Sequence, residues 1–136
     1  MLVKAFGVLS TTGTPNFTMA VSGNTTQGTY NSSGLMATTP ATAMASGASN
    51  QPWELEVIIT CTATGASGTF LSDGFFKIYN GTTLIAARCS SSTANPNTAA
   101  SVSTESAYYL ELAGTWGSSS SSNTVTVYQV AVLGIN

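Results

Sequence analysis

The chain has 136 residues and a formal net charge of −2, with three basic side chains, five acidic ones and no histidine. Charged residues make up 6 % of it, against roughly a quarter in an ordinary soluble domain. Catalysis by a Ser–His–Asp or Cys–His system is thereby excluded, and Lys4, Lys77 and Arg88 are too few for the basic track that nucleic-acid binding needs.

A hydrophobic share of 43 % suffices for a packed core. Area scaling for 13.8 kDa gives a folded surface of roughly 6,600 Å² against about 20,000 Å² unfolded. One domain over residues 1–136 is expected, in need of no metal, cofactor or disulfide framework. Leu2–Leu9 is a short apolar run, and residues 1–13 read either as an N-terminal arm or as an edge strand. Phe17, Met19 and Val21 then alternate with Thr18, Ala20 and Ser22, the period of a strand. Residues 25–51 are Ser, Thr, Ala, Gly and Asn around Tyr30, Leu35, Met36 and Met44. That is long for a structureless loop, so it holds one or two short strands or lies on a neighbouring subunit.

Trp53, Leu55, Val57, Ile59 and Cys61 form the inward face of the next strand, with Glu54, Glu56 and Ile58 on the other side. Residues 64–68 are a small-residue turn, and Asp73-Gly74 reads as a turn or bulge. Asn80-Gly81 between two apolar runs is the strongest hairpin signal, since a type I′ turn needs positive φ. Residues 90–106 are again polar, with Pro96 among them. Tyr108, Leu110 and Leu112 alternate with Tyr109, Glu111 and Ala113 up to Trp116, and a serine-rich loop follows. In the last strand, residues 124–135, Val125 and Val127 share one parity and Val130 and Val132 the other, which implies a bulge or a strand buried on both faces. No segment carries a helical stripe. About eight strands fit an antiparallel β-sandwich, with a jelly roll as the specific expectation.

No chemistry-bearing constellation stands out. Glu54 and Glu56 lie about 7 Å apart on one strand face, a separation that suits an inverting glycosidase but that any i, i+2 pair in a strand has. A solvated strand face is the plainer account. Trp53, Trp116, Tyr108 and Tyr109 are the residues for a sugar-stacking platform, although Trp53 shares the core parity and Trp116 sits where it caps the core or meets a partner. Asp73 and the other acids do not cluster as calcium ligands. Cys61 and Cys89 read as two buried thiols, or as a disulfide between neighbouring strands, and are a poor zinc set without histidine. No membrane span and no targeting segment are visible.

Two stretches carry a resemblance. One is Trp53–Cys61 followed by Thr64-Gly65-Ala66-Ser67-Gly68-Thr69 and Asp73-Gly74; the other is Leu110–Gly117 with Ser121-Ser122-Asn123-Thr124-Val125 and a closing apolar strand. Together, over residues 52–136, they resemble small structural proteins of tailed bacteriophages, in particular jelly-roll capsid decoration (cement) proteins. The resemblance implies a non-enzymatic virion protein on the capsid surface, made in the host bacterial cytoplasm. It implies a homotrimer that clamps neighbouring major capsid proteins, with neither nucleic acid nor membrane as partner. A tail or head-fibre component, a receptor-binding tip, or a carbohydrate-binding module with a glycan partner is the alternative. Leu2, Val3, Phe6 and Trp116 are the expected partner-interface residues.

Overall fold

The computed structural model describes residues 1–80, 82–95 and 97–135, and at residue 80 the backbone alone. The ordered elements are β1 (Leu2–Ser10), β2 (Asn16–Asn24), a 3-10 turn (Ser32–Gly34), β3 (Leu35–Thr38), β4 (Thr42–Ala43), β5 (Gln51–Ala63), β6 (Thr69–Asn80), β7 (Thr83–Ser90), β8 (Ala100–Ser101), β9 (Tyr109–Trp116) and β10 (Thr124–Leu133). The fold is all-β and antiparallel, as the alternation predicts. Two more strands are present than the eight expected because β4 and β8 are two residues long, below what alternation can reveal. The polar stretch before Gln51 thus contributes β3 and β4, and buries Met36 and Met44 in the core.

The sheet curls into a half-barrel of two facing layers. One layer runs β10–β1–β5–β6–β7. In the other, β3 and β4 flank one side of β2, and β9 flanks the opposite side. Among the described residues, one strand-pairing bridge, Thr38 opposite Ser90, links β3 to β7 and so joins the layers. Side chains do the rest. Phe17 of β2 lies 5.6 Å from Phe76 of β6 and 4.6 Å from Trp116 of β9, and Phe76 lies 5.9 Å from Trp53 of β5. Such tilted aromatic pairs add to the area they bury.

The inward faces are those expected for Trp53, Leu55, Val57 and Ile59, all buried. Cys61 departs from the expectation: it continues their parity but lies where the strand overhangs the core, and is exposed. Asp73-Gly74 is no turn but the middle of β6. Gly74 sits opposite Val57 and Cys89, and a Cβ there would stand 2.0 Å from the carbonyl oxygen of Glu56. The glycine is needed for a close strand crossing, not for a bend.

β1 is neither an arm nor an edge. It pairs with β10 on one side and β5 on the other. The valine parity switch in β10 is a bulge, with Gln129 opposite Phe6 and Val127 opposite Gly7. Gly7 answers it from β1, since a Cβ there would lie 1.9 Å from the Thr126 carbonyl oxygen. The β6–β7 hairpin is present, while its Gly81 turn and Pro96 lie outside the described residues. The accessible surface, 7058 Å², is close to the scaling value for a folded chain of this size.

Gly74→Ala is expected to cost about 3 kcal/mol, the upper end for overpacking, because the atoms it meets are backbone and cannot rotate away; urea denaturation measures it. A chain that starts after Gly13 lacks the strand joining β10 to β5 and is expected to lose its near-UV circular dichroism and its cooperative melt.

Candidate functional site

Antiparallel pairing sorts the side chains of the five-stranded layer into rows. Val3–Val57–Gly74–Cys89 and Ala5–Leu55–Phe76–Ala87 face the core. The rows between them, Lys4–Glu56–Phe75–Arg88 and Phe6–Glu54–Lys77–Ala86, face outwards. All three Lys and Arg side chains of the protein therefore stand on one face, and each meets a carboxylate. Lys4 Nζ lies 2.6 Å from Glu56, Lys77 Nζ lies 2.6 Å from Glu54, and Arg88 Nε lies 2.7 Å from Asp73. The first two pairs are directly opposite across strands, and the third is diagonal.

These pairs are exposed and worth little to stability. Their effect is on charge. The hydrogen bond and positive charge of Lys4 hold the Glu56 carboxyl below its usual range, and Glu54, by hydrogen bond and charge, holds the Lys77 ammonium above its own. Each couple sets one cation against one carboxylate and is formally neutral.

Between the pairs stand large apolar side chains with no cover: Phe6, Ile58, Phe75, Tyr79 and Leu84, each roughly half exposed. The Phe6 ring makes an edge contact with Tyr128, at 6.3 Å. A trough of about 530 Å³ crosses this face, walled by Phe6, Pro52, Tyr79 and Leu84 beside the Glu54–Lys77 pair. Trp53 also borders it, although that residue is buried in the core. A smaller trough of about 240 Å³ adjoins it between Lys4, Phe6, Glu54 and Gln129. The surface is flat, apolar and formally neutral, and suits contact with another surface or with the face of a ring. Among the described residues, no three His, Cys, Asp or Glu side chains converge as a metal site would require.

The four expected interface residues are not brought together. Phe6, 46 % exposed, is on the outer face, and Leu2 is half-buried at its margin. Val3 is 1 % exposed and belongs to the core, because the strand period turns it away from Leu2. Trp116 is in the other layer, half-buried on Phe17. The set Trp53, Trp116, Tyr108 and Tyr109 forms no platform, since the first is core, Tyr108 and Trp116 pack against the core, and Tyr109 alone is exposed. Glu54 and Glu56 are a solvated pair, each engaged by a lysine.

Phe75, Tyr79 and Leu84 went unforeseen. In Phe75-Phe76-Lys77-Ile78-Tyr79 both parities are apolar. Only Lys77, which shares its parity with Phe75 and Tyr79, marks which face meets water.

The two thiols differ. Cys89 is fully buried, and desolvation pushes its pKa up to about 12. Cys61 stands opposite Phe70 while Cys89 stands opposite Gly74, so β6 separates them by four residues, about 13 Å of strand. No disulfide joins them, and both are free. Compared with family models, with curated proteins and with solved structures, the chain matches none.

A thiol reagent at pH 8 is expected to titrate one cysteine per native chain, Cys61, and two after denaturation; Cys61→Ser should leave the native protein unreactive.

Proposed function

We propose that the protein is a non-enzymatic structural subunit of a tailed-phage virion, a decoration or cement protein that assembles as a trimer on the outer capsid and bridges neighbouring major capsid proteins. The observation that carries this reading is the outer face of the β10–β1–β5–β6–β7 layer. Every cation there is neutralised within the chain, so covering the face strands no unpaired charge. Covering it also removes Phe6, Ile58, Phe75, Tyr79 and Leu84 from water. At ~25 cal/mol per Å², each 100 Å² of apolar surface covered contributes roughly 2.5 kcal/mol gross, less the loss of freedom on association. One copy spread over two shell subunits ties them together, and many copies sum this gain over the closed shell. The residue pattern over 52–136 supports the same reading.

The trough favours a second reading, a fibre tip or carbohydrate-binding module. Phe6 and Tyr79 offer ring faces to the C–H side of a sugar, and the Glu54–Lys77 pair offers hydrogen bonds to its hydroxyls.

Mixing the purified protein with capsids of the encoding phage that lack it, then pelleting them, tests the first reading. Saturable co-sedimentation and a higher disruption temperature of the capsids are expected. Phe75→Glu with Tyr79→Glu should weaken binding by at least about tenfold, or ~1.4 kcal/mol, with the melting temperature of the free protein preserved. Failure to bind capsids, together with glycan binding lost in Tyr79→Ala, would shift the assignment to the second reading.

A further inference from the structure

The linker between β1 and β2, residues 11–15, and the linker between β9 and β10, residues 117–123, are pinned together at one end of the sandwich. The Thr12 N–H donates to Asn123 Oδ1 at 2.8 Å, the Gly117 N–H to the Asn16 carbonyl at 2.8 Å, and Asn123 Nδ2 to the Ser118 carbonyl at 3.3 Å. β9 runs into this end in one layer, and β10 runs out of it in the other. Just beyond the pin the two still touch, since a Cβ on Gly114 would lie 3.3 Å from Val125 Cγ1. Farther out they do not pair. β9 bonds only to β2 and β10 only to β1, and among the described residues no backbone hydrogen bond satisfies the far side of either.

Both strands carry inward residues that the core does not cover. Val127, Val130 and Val132 stand opposite Gly7, Ala5 and Val3, all buried, and so point to the inner face. They are nevertheless 45–49 % exposed. On β9 the inward residues are Gly114, Leu112 and Leu110, opposite Met19, Val21 and Gly23, with Tyr108 one step beyond. Leu112, Leu110 and Tyr108 are only half-buried. The two rows match. From Gly114 beside Val125, an antiparallel step of two sets Leu112 across from Val127. The bulge then adds one residue to β10, which sets Leu110 across from Val130 and Tyr108 across from Val132. β7 is unpaired too on its far side over residues 83–89, meeting β3 at Ser90 alone. Its inward Ala87 and Cys89 are already buried, so no apolar row there lacks cover.

We propose that β9 and β10 are the lips of a barrel that closes in solution, zipping outwards from the pinned end until each strand is the other's missing neighbour. The structure holds the open state. Closure covers Val127, Val130 and Val132 and removes both free edges with groups of the same chain. β10 is ten residues with neither charge nor proline, the usual guards of an open edge, so closure is the guard left to it. Asn123 is the pivot: it is buried and bonded to both linkers, and it stays in place while the far ends approach. The inference is independent of the capsid assignment, and either can fail without the other.

Hydrogen exchange on the unaltered protein and an engineered cysteine pair test it. In the closed state the far-side amides of β9 and β10 are bonded, so they should exchange at least about tenfold more slowly than unstructured amides. Far-side amides that exchange freely overturn the inference. So does protection that disappears on dilution, the signature of pairing between copies. The second test places Tyr109→Cys with Ala131→Cys in a Cys61→Ser background, where the remaining Cys89 is buried. Closure sets residues 109 and 131 opposite each other, within the ~4.4–6.8 Å between Cα atoms that a disulfide spans. Oxidised glutathione, with the protein at low micromolar concentration, should join them within one chain at least about tenfold faster than the out-of-register pair Tyr109→Cys with Val132→Cys. Equal rates for the two pairs, or no bond within a native chain, overturn the inference. The exchange measurement needs no substitution and decides the matter even where a variant fails to fold.

Discussion

Everything in this fold depends on aromatic packing across the two layers. Among the described residues, strand pairing links them by one bridge, Thr38 to Ser90, which is far too little to fix their relative position. The chain of rings Trp116–Phe17–Phe76–Trp53 spans both layers and meets in the middle of each. Phe17 is its centre, fully buried and touching rings from both layers. Replacing such a ring by alanine typically costs 3–5 kcal/mol, a large part of the stability of a domain this size. The glycines at 7 and 74 serve the same end by letting neighbouring strands lie close beneath the rings.

The scarcity of charge takes on meaning once the charges are placed. Three cations and three carboxylates lie on one face as cross-strand couples, leaving Glu105 and Glu111 as the remaining charged side chains. Such a surface has little to repel a partner and little to steer one over long distance. Recognition must then come from shape and apolar contact at short range, which suits parts that meet at high local concentration in an assembly.

How much of this was legible in the sequence depends on where two parities differ. In Trp53–Ile59 only one is apolar, and the face follows at once. In β10 the valines change parity near Tyr128, which allows either a bulge or a strand buried on both faces, and the pairing with β1 decides for the bulge. Phe75–Tyr79 has apolar residues on both faces, so the outer patch stayed hidden behind a strand rightly assigned. Asp73-Gly74 has the composition of a turn, and only the neighbouring backbone reveals that its glycine serves a crossing. Nor does alternation along a strand tell where the opposing layer stops, so it places Cys61 with the core although it is exposed, and it does not reveal the exposure of the β10 valines. Strand neighbours are likewise invisible to local pattern: nothing within Leu2–Ser10 says that β1 lies between two others.

That central place of β1 has a consequence for how the chain comes to be folded. Leu2 pairs with Leu133, and Ser10 with Thr124, so β1 is bound to the strand furthest from it in sequence among those described. During synthesis β1 can join β5 early, yet its other side stays open until β10 has been made. Contacts so distant in sequence slow folding. A nascent chain paused before residue 124 would present the β10 side of β1 as an unpaired strand edge.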